Sequence, residues 1–555
     1  MRIPCAILSS VFLVAGVARA QPDRQIAPPE VSRAEGTALV QLAREAMLRY
    51  LARRTPAAEQ PIPPDLRALD ARQYPVAVTL RSRGTVLARA IRAEASTARN
   101  LFAAALEAMR SPALPDRVTR QVIESLTIEV EVLSAPTAAV ADQVDSFYVA
   151  ALTGLRLDRG LHTAYVLPST AYLLDADAES VRRGCLVQIP LDRSSTSNES
   201  RWSIFASRQF VGYADGQTVA LYRGKILVPP EVIDDKLLSD AAGQVAAYLA
   251  RRQSQTGLYQ TDWDTPGLRD HLYAAWAMAR LAKRTGSSLA AASANRALGA
   301  AMLSLKTDDE RGYVAAGDAD DQLAATSLML LTLIEMPDSP QASAVRKQLV
   351  NALLAGIRPD GMPLSRLDGQ GKTAASLPDA CLALAALQSA GVESARLAPL
   401  RGALAKVTPG DAEGLAWKLR VGLPMETRDA PLSEAQKTAL LPRQADETAL
   451  PDERGGFAPP NAAPSVALTG LWAQHLARAL PELRKLNPPE PAARAAAQLL
   501  AARRFCYQLL YKPREAYFSE HLDELPGAAR ESATSARATV RSCAAALDAF
   551  LAVPE

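Results

Sequence analysis

Aromatic residues make up 5% of this 555-residue chain, and histidine occurs four times. That composition argues against carbocation chemistry, which needs an aromatic-lined cavity, and no His/Cys cluster points to a structural zinc. The chain has no Cys-x-x-Cys, no His-Glu-x-x-His and no Gly-x-Ser-x-Gly. Signals for structural zinc, zincin chemistry and a serine nucleophile are therefore missing. No Gly-rich phosphate loop occurs in the first half, and no cofactor or metal is expected. Formal charge is only +3, which gives no reason to invoke nucleic acid.

Long apolar runs are also scarce. The one at Ala6–Val17 follows Arg2 and precedes Ala18-Arg19-Ala20. It is too short for a membrane span and matches a Sec signal peptide over residues 1–20, cleaved after Ala20. The expectation is a periplasmic or secreted protein with no membrane span. Four cysteines remain after cleavage: Cys185, Cys381, Cys506 and Cys543. An oxidising compartment permits a disulfide, and spacing leaves a Cys506–Cys543 pair open against buried thiols.

What is present divides into two halves. Residues 21–30 read as a leader, and Ala34–Arg53 as an amphipathic helix with Leu39, Leu42, Ala43, Ala46, Met47, Tyr50 and Leu51 on one face. Strands are expected at Val76–Leu80, Val86–Ile91, Leu126–Val132, Thr163–Leu167, Ser203–Val211 and Val219–Tyr222, with a helix at Thr97–Met109. In the third strand Thr127, Glu129 and Glu131 alternate with apolar residues, the pattern of a strand with one solvent face. This half, residues 31–228, is α+β.

Three segments carry a resemblance: Glu35-Gly36 through Leu51, Leu126 through Leu133-Ser134-Ala135-Pro136, and Gly154 through Leu167-Pro168-Ser169. They are similar to the AMMECR-type domain, which implies two α/β lobes around an antiparallel sheet and no settled activity. The family's Leu-Arg-Gly-Cys-Ile-Gly signature is replaced here by Leu87-Ala88-Arg89-Ala90-Ile91-Arg92. With both glycines and the cysteine gone, chemistry built on them is not expected.

The second half, residues 236–555, repeats. Turns at Gly257-Leu258-Tyr259, Gly312-Tyr313, Gly361-Met362, Gly410 to Gly414, Gly456-Phe457 and Tyr517-Phe518 recur at roughly 50-residue intervals between helical stretches. Outer helices are expected at Leu237–Arg252, Ser288–Leu305, Ser343–Ala355, Ser394–Leu404, Ser433–Leu441 and Pro491–Leu510. Inner partners are expected at Leu268–Leu281, Asp321–Ile334, Pro378–Leu387, Asp411–Leu419, Ser465–Leu476 and Arg530–Phe550. Six helical hairpins predict a closed ring, an all-α (α/α)6 toroid, with the turns at the rim of a cavity. The pattern resembles the toroid superfamily, which spans terpenoid cyclases, protein prenyltransferases and six-hairpin glycosidases, so the fold implies no one chemistry.

Three constellations are candidates. Asp318-Ala319-Asp320-Asp321 resembles the Asp-x-Asp-Asp motif of class II terpenoid cyclases, in which the middle carboxyl, here Asp320, protonates an alkene. The plain alternative is acids at a helix start. Asp379-Ala380-Cys381 resembles the prenyltransferase zinc pair, but Ser535–Leu547 supplies no histidine as third ligand, and His475 and His521 are candidates by number alone. Asp262, Trp263, Asp264, Asp270, His271 and Trp276 surround the first turn. Carboxylates beside aromatics suit glycan binding, and paired carboxylates suit glycoside cleavage; the plain alternative is capping acids and core aromatics.

The expected catalytic residues are Asp264, Asp320 and Asp321. The expected ligand contacts are Tyr259, Asp262, Trp263, His271, Tyr313, Asp318, Phe457, Tyr517 and His521. The first reading is an exported binding or scaffold protein whose ring holds a glycan, peptide or partner segment. The alternative is a toroid enzyme acting on extracellular carbohydrate through acids at the cavity mouth, with a cyclase-like enzyme a distant third.

Overall fold

The computed structural model describes residues 26–554 except 116–117, 141–143, 145–147, 190–199, 309, 337–339, 426–439, 461, 487–488 and 521. The predicted signal peptide, residues 21–25 of the predicted leader and most of the predicted outer helix Ser433–Leu441 lie outside the described residues.

Helix α1 (Arg33–Arg53) starts at Ser32, whose hydroxyl accepts the Glu35 amide while the Glu35 carboxylate takes the Ser32 amide. This reciprocal cap satisfies two otherwise orphaned donors. Strands β1 (Val76–Ser82) and β2 (Thr85–Arg92) form a hairpin. Then come α2 (Thr97–Ala108), β3 (Thr127–Leu133), β4 (Thr137–Ala139), β5 (Thr153–Arg159), β6 (His162–Val166), α3 (Pro168–Leu173), α4 (Ala178–Leu186), β7 (Ser200–Gly212) and β8 (Thr218–Leu221). The strands pair antiparallel in the order β2-β1-β3-β7-β5-β6, and β7 also pairs β4 and β8. Helices α1 and α2 cover one face, where Leu39, Met47, Leu101 and Phe102 pack with Val78, Ile128 and Val130.

The other face departs from the sequence expectation. Glu129 and Glu131 are 0% and 1% exposed, not on a solvent face. Alternation shows only that two faces differ in polarity. Here the polar face is covered by α3, through Ser169, and by Tyr517 from the second half.

The second half is a ring. In chain order its helices are α5 (Asp235–Arg251), α6 (Leu268–Thr285), α7 (Ser288–Met302), α8 (Gln322–Glu335), α9 (Pro340–Ala355), α10 (Leu377–Ser389), α11 (Ser394–Lys406), α12 (Ala412–Arg420), α13 (Val466–Leu483), α14 (Glu490–Gln508) and α15 (Val540–Phe550). Inner helices α6, α8, α10, α12, α13 and α15 each pack on the next, and α15 packs back on α6. Alanine at their contacts, such as Ala274, Ala324, Ala383 and Ala545, lets the axes approach closely.

The turns set the register of the hairpins. Gly257, Gly361, Gly455 and Gly527 have φ of +92°, +87°, +88° and +93°, where a side chain is strained. A Cβ on each would lie 2.4, 2.4, 2.2 and 2.3 Å from the backbone oxygens of Arg296, Pro399, Ala501 and Gln244. Each turn thus rests on the outer helix of the following hairpin, and Gly527 rests on the first, so the turns close the ring as well. Two residues beyond the turn glycine, the amides of Tyr259, Val314 and Phe457 donate to His271 Nδ1, Thr326 Oγ1 and Thr469 Oγ1 on the inner helix. The Ala529 amide does the same to Cys543 Sγ at 3.3 Å.

Two sequence expectations move here. The sixth turn is marked by Gly527 rather than by Tyr517-Phe518. Its inner helix begins at Val540 rather than Arg530, because Thr539 caps it and a loop precedes it. All four described cysteines are buried and free.

The two halves meet through buried charge. Arg223, just beyond β8, donates to Asp452 at 2.9 and 2.6 Å. Lys225 Nζ reaches Asp452 at 2.9 Å, and donates to the carbonyls of Arg223 at 2.8 Å and Ala533 at 2.6 Å. Glu515 accepts from Arg530 at 2.9 Å and from the Ile226 amide at 2.8 Å.

Candidate functional site at the ring mouth

All six inner helices begin at the end of the ring that carries the turns. Their first turns hold the donors that an α-helix leaves unpaired, and their dipoles add in one place. Side chains satisfy several of these amides: Ser376 caps α10, Asp411 caps α12, Ser465 caps α13 and Thr539 caps α15. Acids collect beside them for the same electrostatic reason. Asp270, Asp379 and Glu413 sit in first turns, and Asp321 is the residue before α8.

Inside this mouth is a cavity of ≈ 40 Å³, to which every inner helix contributes: Tyr273, Leu328, Leu382, Trp417, Leu471 and Ala545 form its walls. That is room for about two or three waters, far below the several hundred Å³ of a pocket that encloses a small ligand. Below it the axis is plugged. Arg420 lies 4.8 Å from the Trp276 ring and 4.9 Å from the Trp417 ring. Buried Asp548 accepts from Tyr273 at 2.9 Å and pairs with Arg280 and Arg420.

The upper wall is charged. Arg269 reaches Asp379 at 2.8 Å and Asp321 at 3.4 Å, so one guanidinium spans carboxylates from two helices. Arg541 pairs with Glu413 at 2.7 Å. Asp270 lies between these pairs on the same wall. Burial pushes its carboxyl above the usual range; Arg541 and Arg269 oppose that, and Asp264 and Asp321 add to it. The mouth therefore sets one carboxyl raised by burial beside three acids that are paired with arginine.

The predicted site residues distribute as follows. Asp321 is in the mouth. Asp264 is at its rim: its carboxylate accepts the Thr261 hydroxyl at 2.5 Å and lies 3.3 Å from the Val540 amide, joining the first turn to the last inner helix. Asp320 is exposed and accepts from Ser365 at 2.9 Å. Asp318 caps the short helical turn before α8. Asp262 pairs with Arg252, and Trp263 stacks on Tyr511 at 6.2 Å.

Others lie in the wall rather than at the opening. Tyr259 is buried with its hydroxyl on Ser293, and Phe457 is buried against Trp472. Tyr313 is half-buried. His271 accepts the Tyr259 amide on Nδ1, so Nε2 carries the proton toward the Ala297 carbonyl at 3.0 Å; burial lowers its pKa. Its place in the register is the one Thr326 and Thr469 occupy in other hairpins. Tyr517 is 1% exposed, with Gln209 of the sheet half donating to its hydroxyl at 2.7 Å. His521 lies outside the described residues.

For the zinc-pair resemblance, Cys381 is buried and its thiol is pushed up to about 12 by burial. Among the described residues no group of three or more His, Cys, Asp or Glu is placed to hold a metal ion. No described helix is long and apolar enough to cross a membrane. Sequence reasoning passed over Arg269, Glu413 and Arg541, weighed Asp379 only as half of a zinc pair, and placed Asp270 in the glycan constellation without giving it a catalytic role. First-turn position on each inner helix is the signal that unites them.

No family model and no curated protein matches the chain. Among solved structures, it is similar in part to an inactive variant of an alpha-1,6-mannanase from Salegentibacter sp. HEL1_6 in complex with alpha-1,6-mannotetrose. That match has 10% identity over 57% of this chain and 98% of the other, with a TM-score of 0.38. A family 76 glycoside hydrolase from a bovine Bacteroides thetaiotaomicron strain matches at 9% identity over 77% and 95%, TM-score 0.31. An uncharacterized protein from Pyrococcus horikoshii matches at 20% identity over 34% of this chain and 98% of its own, TM-score 0.31.

Proposed function

We propose that this is an exported, carbohydrate-directed protein whose working face is the mouth of the helical ring. The observation that carries the reading is the convergence of Asp270, Asp321, Asp379 and Glu413, from four inner helices, around Arg269 and Arg541. Glycoside hydrolysis asks for two carboxyl groups within about 5 to 10 Å, one protonated and one ionised. Asp270 fits the first role. Asp321 or Asp379, both reached by the Arg269 guanidinium, is the candidate for the partner carboxyl. Export rests on the signal-like residues 1–20, and the sheet half is read as AMMECR-type on the segments that resemble that family.

One observation favours binding without turnover. The cavity of ≈ 40 Å³ does not enclose a sugar ring, so a glycan would sit on the mouth by a chain end. A panel of neutral oligosaccharides, α-1,6-mannan fragments among them, offered to the wild type and to Asp270→Asn separates the readings. Hydrolysis by the wild type and binding alone by the variant supports the enzyme. Binding by both with no product supports recognition only, and no binding to any glycan removes both.

A further inference from the structure

The mouth is completed by a loop that the ring does not hold alone. Residues 529–539 deliver α15, and with it Thr539, the Val540 amide and Arg541, to the opening. The base of this loop is tied within the ring: the Val466 amide donates to the Glu531 carbonyl at 2.9 Å, and the Ser542 hydroxyl to the Ala529 carbonyl at 2.6 Å. Its tip is tied to the sheet half. Lys225 Nζ donates to the Ala533 carbonyl at 2.6 Å. Arg530 donates to the Gly224 carbonyl at 3.3 Å. Ala536 packs in an apolar cluster with Ala151 and Tyr172, and the Tyr172 ring lies 5.0 Å from Lys225 Nζ.

We propose that the sheet half positions the ring's site, with Lys225 as the positioning residue: it fixes the tip of the 529–539 loop and so the place of Arg541 and the Val540 amide in the mouth. The argument is geometric. Lys225 is 0% exposed, and an ammonium is buried only where its donors find acceptors. Its acceptors are one on its own strand end, one carboxylate of the ring, Asp452, and one carbonyl at the loop tip. A docking contact would need only the carboxylate. Within the ring the Tyr511 hydroxyl also donates to the Ala536 carbonyl at 2.5 Å; the bond to Ala533 is the hydrogen bond that the sheet half adds at the tip. From there Thr539 caps α15, Asp264 receives the Val540 amide, and Arg541 pairs with Glu413. A displacement of about 1 Å in such a chain can lower turnover about a hundredfold.

The site that Lys225 serves is the carbohydrate mouth proposed above, but the loop's order can be read without any ligand. Lys225→Met keeps the stem's length and removes the donors. In full-length protein, amide hydrogen exchange at 533–542 is expected to quicken by about tenfold or more, while amides of α8 and α10 keep their rates. Any glycan affinity found for the wild type should fall by about tenfold as well. Arg514→Ala is the control: it removes a pair with Asp215 at 2.5 Å, also between the halves but with side-chain contacts to Asp215 and Tyr213 rather than to the loop, and should leave 533–542 unchanged. If Lys225→Met does not fold, Tyr172→Leu removes the ring beneath Lys225 and against Ala536 and should give the same local quickening. Unchanged exchange at 533–542 in the folded variant, or equal quickening in Arg514→Ala, overturns the proposal. Quickened exchange in a protein that binds no glycan upholds it and rejects the carbohydrate reading instead.

Discussion

Arg223 of the sheet half and Asp452 of the ring are 229 residues apart in the chain, yet they share two hydrogen bonds at 2.9 and 2.6 Å with both side chains sealed from solvent. A buried pair of this kind adds little net stability, because desolvation offsets attraction, but breaking it strands a charge. Asp452 answers two basic side chains, since Lys225, whose pKa burial lowers to about 7, also reaches it at 2.9 Å.

Asp452→Ala should therefore cost about 3–5 kcal/mol. Chemical denaturation of the full chain measures it. The double variant Asp452→Ala/Arg223→Met should recover part of that loss. A single variant as stable as the wild type would show that the halves do not depend on this contact.

The mouth predicts a division of roles. If it hydrolyses glycans, Asp270→Asn should lower kcat by about 10² to 10⁴ with binding largely kept. Arg269→Ala, which releases Asp321 and Asp379 together, should lower activity and shift its pH profile. Activity that survives Asp270→Asn intact would assign the proton transfer elsewhere.

The turn glycines make a stability prediction. In Gly455→Ala the new Cβ would lie 2.2 Å from the Ala501 carbonyl oxygen at φ +88°. Backbone strain alone costs about 1–3 kcal/mol, and the clash adds to it, so the melting temperature should fall clearly. Gly267→Ala meets nothing within 4 Å and has no positive φ, and serves as the comparison. Equal melting temperatures for the two would mean that the turns do not seat the hairpins.

Glu131 predicts a pH dependence. Burial, with neighbouring Glu129, raises its carboxyl from 4.5 to about 7, against hydrogen bonds from Ser169 and Ser207. A raised folded pKa means that the folded state holds the proton more tightly. Its contribution is present at low pH and is lost as pH rises from about 4.5 through about 7. Glu131→Gln should remove that slope, so the variant gains on the wild type across this window in unfolding experiments. Parallel stability curves would place the proton elsewhere.

Much of the architecture was legible because it is local. A glycine that must take positive φ, an amphipathic or alanine-rich helix on each side and a spacing near 50 residues are properties of short segments. They predicted the described inner helices closely, apart from the start of the last one. They misplaced the sixth turn because Tyr517-Phe518 imitated its aromatic marker, whereas the turn needs Gly527 against the Gln244 carbonyl.

The mouth was only half legible. Adjacent acids such as Asp320 and Asp321 stand out in a sequence, but Asp320 points to Ser365 while Asp321 meets Arg269. Which neighbour enters the site depends on where one helix turn begins. Glu413 and Arg541 are 128 residues apart, and nothing local links them.

By itself, then, the sequence determined the repeat, most of the helix starts and the acids at the start of several inner helices, since backbone strain, capping and the helix dipole act within a few residues. Only the tertiary structure decided which acids share a guanidinium, which face of β3 is covered and that Lys225 reaches across to Ala533. Those outcomes depend on ring closure and on the docking of two halves, which bring together groups that the chain separates by tens to hundreds of residues.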